Sequence, residues 1–161
     1  MSVEEDTKKA LELVARIDEP KALLRLAANA KQKGNIEVER AARLRLYTLL
    51  PSQEPGTFEH DVWQSIFALE GALSDERGKS IRLARTRQKI VRDGELKCVA
   101  DLILGKPSKG FQLLAEREML NLSFEAVALR HRDKFSDPAL MAATERATER
   151  LESFGYKTPV Q

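Results

Sequence analysis

From Phe58 to Leu73 the apolar residues Phe58, Val62, Ile66, Phe67, Leu69 and Leu73 return every three or four positions, with Trp63 beside them. A stripe of that period is the face of an α-helix, because side chains on a strand alternate instead. The stripe is too apolar to be left in water, so the remaining chain must cover it. Gly and Pro number only 8 and 6 in 161 residues, while Ala, Leu, Glu and Arg prevail, so the cover is expected to be helical too. A hydrophobic content of 42 % is enough to bury such a core without staples. The single cysteine, Cys98, excludes an internal disulfide and any paired-cysteine zinc or redox motif. The expected fold is all-α, a compact bundle of six to eight helices with no β-sheet.

Two prolines and a glycine in PSQEPG, residues 51–56, interrupt any periodic element and mark the clearest linker. Residues 1–56 read as an N-terminal helical hairpin region. Val3, Leu11, Val14 and Ile17 carry one helix, and Asp18 with Pro20 ends it. Leu23, Leu24, Ala27 and Ala30 carry the second, which Gly34 closes. Asn35 caps a third, in which Ile36, Arg40, Ala41, Leu44 and Tyr47 keep the period as far as Pro51. The Gly34-to-Pro51 spacing resembles a single tetratricopeptide hairpin, but no second copy follows at the period of about 34 residues that stacking needs. Residues 57–161 read as the central helix, a basic helix and a C-terminal helical module around one shared core. Thr57 caps the central helix, and Ser136 with Pro138 opens the last one, where Leu140, Ala143, Ala147 and Leu151 face inward until Gly155.

Charge is distributed unevenly. The net charge is only +2, yet residues 77–109 hold ten basic groups against three acidic ones, a local excess of +7. Local excess, not the total, steers polyanionic partners. On a helical wheel of residues 81–92, Arg82, Arg85, Lys89 and Arg92 share one arc, while Leu83, Ala84, Ile90 and Val91 lie opposite. Arg87 falls on the apolar side, where it either pairs with a buried carboxylate, Glu70 and Glu95 being the candidates, or reaches past the edge of that face. No acidic residue occurs between Arg77 and Arg92, so the segment contains no partner of its own for i,i+4 pairing. Arginine predominates, and its planar fork suits phosphate or guanine. Lys79 precedes this face, and Lys97, Lys106 and Lys109 extend it from the following loop.

Catalytic signatures fail on inspection. Gly78-Lys79-Ser80 ends like a phosphate-binding loop, but Leu73 stands where that loop needs glycine. Lys106 likewise breaks a nucleophile elbow around Ser108. His131-Arg132-Asp133 matches a kinase triplet without the glycine-rich loop that would accompany it. His60 and His131 are the only histidines, neither in ligand spacing, and Cys98 sits on an apolar helix face as a core residue. No catalytic residue, cofactor or metal is expected, and an enzyme is not the favoured class. CVADLIL, GKPSKG and FQLLAER together resemble a helix-turn-helix, but the break is longer than that motif's turn.

The expected function is therefore binding of nucleic acid, double-stranded DNA first, by an accessory or regulatory protein of the cytoplasm. Its nucleic-acid-binding residues are Arg82, Arg85, Lys89 and Arg92, with Lys79, Arg87, Lys97, Lys106 and Lys109 as secondary contacts. The alternative is a helical adaptor that docks its cationic face on an acidic protein surface. No membrane partner is expected, since no apolar run approaches about 18 residues. A homodimer is expected if the Phe58–Leu73 face exceeds what one core covers.

Overall fold

The computed structural model describes residues 2–157. Among these are nine α-helices and two short 3-10 helices, with no strand, so the fold is all-α. The nine include two short helices, α-helical Lys109–Glu116 and Phe124–Arg130, each opened by its own serine cap. The chain divides into two compact units, Met1–Ser52 and Gln53–Gln161.

The first unit holds α1 (Val3–Arg16), α2 (Pro20–Gln32) and α3 (Ile36–Leu49). Pro20 at the first turn of α2 lacks an N–H that would be unsatisfied there anyway. Asn35 does two jobs at the start of α3. Its carbonyl oxygen accepts the Val38 N–H at 3.2 Å, and its amide donates to Thr7 Oγ1 at 3.0 Å, which ties α1 to the hairpin turn. Helices α2 and α3 form the hairpin, and α1 packs on α3. The buried faces differ in detail from the sequence pattern. Val38, Ala42, Leu46 and Tyr47 are the core of α3, whereas Ile36 and Leu44 are exposed, as are Leu24 and Val3.

The second unit is built on α4 (Phe58–Arg77), joined by α5 (Ala84–Asp93), α6 (Glu95–Leu104), α7 (Lys109–Glu116), α8 (Phe124–Arg130) and α9 (Pro138–Ser153). Thr57 caps α4 by accepting the His60 N–H at 3.1 Å. Phe58, Val62, Ile66, Leu69 and Leu73 are all buried. Their cover comes from α7, α8 and the 3-10 turn Leu120–Leu122, whose Leu122 carbonyl accepts the Ser65 hydroxyl. A second copy of the chain is thus not needed to cover this face. Gly110 is where α7 meets α4: a Cβ there would lie 2.7 Å from Leu69 Cδ2.

Helix α9 closes the unit by packing Ala143, Ala147 and Leu151 against α6 and α8. It also carries Arg150 into the core. The guanidinium donates to Glu125 Oε2 at 2.7 Å and to the Gly105 carbonyl at 2.8 Å, with both charged side chains 7 % exposed or less. Removing one partner of such a pair leaves an uncompensated buried charge. Arg150→Met is expected to cost about 3–5 kcal/mol. Urea unfolding followed by circular dichroism checks this, and adding Glu125→Leu to the same chain should restore most of the loss.

Candidate functional site

The basic segment does not begin as a helix. Gly78 closes α4 in the left-handed conformation, φ 68°, and residues 79–83 run on as an irregular connection. Two α4 side chains hold this connection. Ser74 Oγ accepts the Ile81 N–H at 2.8 Å, and Glu70 Oε2 accepts the Leu83 N–H at 2.7 Å. Helix α5 starts only at Ala84, so Arg82 lies before it and not on its cationic stripe. The apolar side of α5 is also narrower than the wheel implied. Ile90 is buried, but Ala84 is exposed and Val91 is 87 % exposed.

Arg87 is a structural residue. Its Nε and Nη2 donate to the two oxygens of Glu70 at 2.9 and 2.8 Å, and the guanidinium carbon lies 5.3 Å from the ring centroids of both Trp63 and Phe67. The hydrogen bond to Glu70 holds the Arg87 pKa above its ordinary value. Of the two candidate carboxylates, Glu70 is the one engaged. A group so held by charge, hydrogen bonds and rings cannot reach a partner without unmaking the α4–α5 contact.

Three further cations are also engaged. Lys89 Nζ lies 2.8 Å from Asp101 and 3.3 Å from Asp93, Arg92 forks onto Asp93 at 3.1 and 3.2 Å, and Lys97 meets Asp101 at 3.0 Å. Lys97 stands within α6, not in a loop. Hydrogen bonds from Arg92 and Lys89 hold Asp93 below the usual carboxylate range, and those from Lys89 and Lys97 do the same for Asp101. The partners that the 77–92 window lacks are thus supplied from α4, from the end of α5 and from α6.

Six cations of the region remain without a side-chain partner among the described residues: Arg77, Lys79, Arg82, Arg85, Lys106 and Lys109. All six are exposed. Arg77, Lys106 and Lys109 converge on one feature, the mouth of a cavity of about 270 Å³ between α4, α5, α6, α7, α8 and α9. Leu83 and Thr86 also line it, and Arg82 and Arg85 are their chain neighbours. Glu76, exposed beside Arg77, is the only carboxylate of residues 76–92.

This cavity is not legible in the sequence, because its wall comes from segments up to 81 positions apart, Leu69 to Arg150. A second cluster escapes sequence reasoning for the same cause. His131 Nε2 lies 2.7 Å from Asp61 Oδ2, Arg130 lies 3.7 Å from the same oxygen, and His60 Nδ1 lies 3.8 Å from Asp61 Oδ1. Asp61 thus joins the amino end of α4 to the end of α8, and Phe58 packs edge-on against the His131 ring. Cys98 is fully buried on α6, its Sγ 3.9 Å from the Thr86 carbonyl, and burial pushes the thiol up to about 11.

Comparison with known protein families, curated proteins and solved structures yields no match. Among the described residues, no group of three or more His, Cys, Asp or Glu side chains is arranged to hold a metal ion. None of their helices is long and apolar enough to cross a membrane.

Two outcomes follow from the titrating groups. With their folded-state pKa lowered, Asp93 and Asp101 contribute stability in full above the unfolded carboxylate value of about 3.9, and lose it as pH falls through the lowered values. The stability gap between the native chain and Asp93→Asn/Asp101→Asn, measured by urea unfolding, should therefore narrow on acidification from pH ~6 to ~3. Cys98, raised instead, should resist iodoacetamide at pH ~8 in the native state and react rapidly once denaturant exposes it. Mass spectrometry of the labelled chain reads this directly.

Proposed function

We propose that this protein binds double-stranded nucleic acid, DNA in the first instance, as an accessory or regulatory protein of the cytoplasm. One observation supports the reading: six exposed cations of residues 77–109 have no side-chain partner among the described residues, whereas Arg87, Lys89, Arg92 and Lys97 are neutralised from within. An unpaired cation gives up only hydration to meet a phosphate. A paired one must first release a carboxylate, and so contributes less. The proposed contact therefore moves from the face of α5 to the α4–α5 connection, the first turn of α5 and the α6–α7 loop. Arginine can fork onto phosphate oxygens there, and no aromatic residue stands among residues 76–92 to stack on a base. Backbone contact to a duplex suits that composition.

Titration of a short duplex at several salt concentrations tests this. With five or six phosphates neutralised, log affinity should fall against log salt with a slope of about −5. Arg82→Gln/Arg85→Gln should flatten the slope by nearly two units, and Lys89→Gln/Arg92→Gln by much less. Asp93→Asn/Asp101→Asn should steepen it, because those changes release Lys89, Arg92 and Lys97. Absence of binding at low salt would defeat the reading and leave an acidic protein partner for the same cations.

A further inference from the structure

We infer that the cavity beneath Arg77, Lys106 and Lys109 is a binding site for a small amphipathic carboxylate, a medium-chain aliphatic acid. The wall is hydrocarbon: Leu69, Leu73, Leu102, Ile103, Phe111 and Phe124 supply most of it. Several of its polar groups already have partners. Ser108 Oγ accepts the Phe111 N–H at 3.1 Å, Ser123 Oγ donates to the Leu120 carbonyl at 2.6 Å, and Arg150 and Glu125 hold each other at 2.7 Å. A guest inside the cavity thus meets mostly hydrocarbon, with polar groups largely engaged, and gains most by being apolar.

The mouth has the opposite character. Arg77, Lys106 and Lys109 are the lining cations with no partner among the described residues, while the one lining acid, Glu125, is neutralised by Arg150. The net sign offered to a guest is therefore positive. An apolar body with a single anionic head satisfies both parts, whereas a neutral hydrocarbon leaves the cations unused and a polar anion leaves the wall unused. A volume of about 270 Å³ is of small-molecule size, enough for the apolar body of a medium-chain acid.

Decanoate is a suitable probe. Calorimetry with the full chain, below the micelle concentration, should give saturable one-to-one binding, and decanol should bind at least about tenfold more weakly. Methyl NMR should shift resonances of Leu69, Leu73, Leu102 and Ile103 and leave those of Val14 and Leu46 unmoved. Lys106→Gln/Lys109→Gln, on exposed side chains that hold nothing in the fold, should weaken decanoate about tenfold or more without changing decanol binding. The inference is overturned if decanoate does not saturate, if decanol binds equally well, if the double variant has no effect, or if the shifted methyls lie elsewhere.

Discussion

The Glu70 carboxylate organises the basic region of the molecule. It sits on the α4 helix with little solvent access, and it accepts three hydrogen bonds, two from Arg87 and one from the Leu83 N–H. A carboxylate buried without donors would cost several kcal/mol. Meeting that requirement places the α4–α5 connection and the first two turns of α5 together, and it determines which cation of the basic segment turns inward. Ser74 assists one turn later by taking the Ile81 N–H. The irregular path of residues 79–83 is therefore held at two points by side chains from the helix that precedes it.

The result is a division of labour between cations of one sign. Arg87 belongs to the contact between α4 and α5, Lys89, Arg92 and Lys97 belong to a surface network around Asp93 and Asp101, and six others face water. The network is partly exposed, so its contribution to stability is modest, and it also removes positive charge from one side of α5. Outside the network, Arg77, Lys106 and Lys109 line a hydrocarbon-walled cavity, whereas Lys79, Arg82 and Arg85 lie in the α4–α5 connection and the first turn of α5. The proposed duplex contact and the proposed carboxylate site both draw on that placement. They differ in whether the interior of the cavity takes part.

Several features of the fold are legible in the sequence alone. The α4 stripe from Phe58 to Leu73 is buried as its period requires except at the half-buried Phe67, the caps at Asn35 and Thr57 form, and Pro20 and Pro138 open helices. Glu70 is one of the two carboxylates that the sequence offers as partners for Arg87, the other reading being a side chain that reaches past the edge. Other expectations fail for identifiable reasons. A wheel drawn over residues 81–92 assumes one continuous helix, and side-chain hydrogen bonds from α4 delay that helix to Ala84. The absence of acids from the basic stretch is a property of the window, since Glu70 lies 17 positions before Arg87 and Asp101 lies 12 after Lys89.

The periodic burial of apolar residues, the caps and the chain breaks are local matters, governed by neighbours within a turn or two, and the sequence by itself determined them: an all-α chain with its longest apolar helix at the centre and its positive charge concentrated in residues 77–109. Tertiary structure alone decided which of those charges are paired, which stripe of α3 is buried, and that six helices enclose a cavity under three exposed cations. The physical reason is range. Hydrogen bonds within a helix are written into adjacent residues, whereas ion pairs and cavity walls join side chains tens of positions apart, and only the packed chain brings them within a few ångströms of one another.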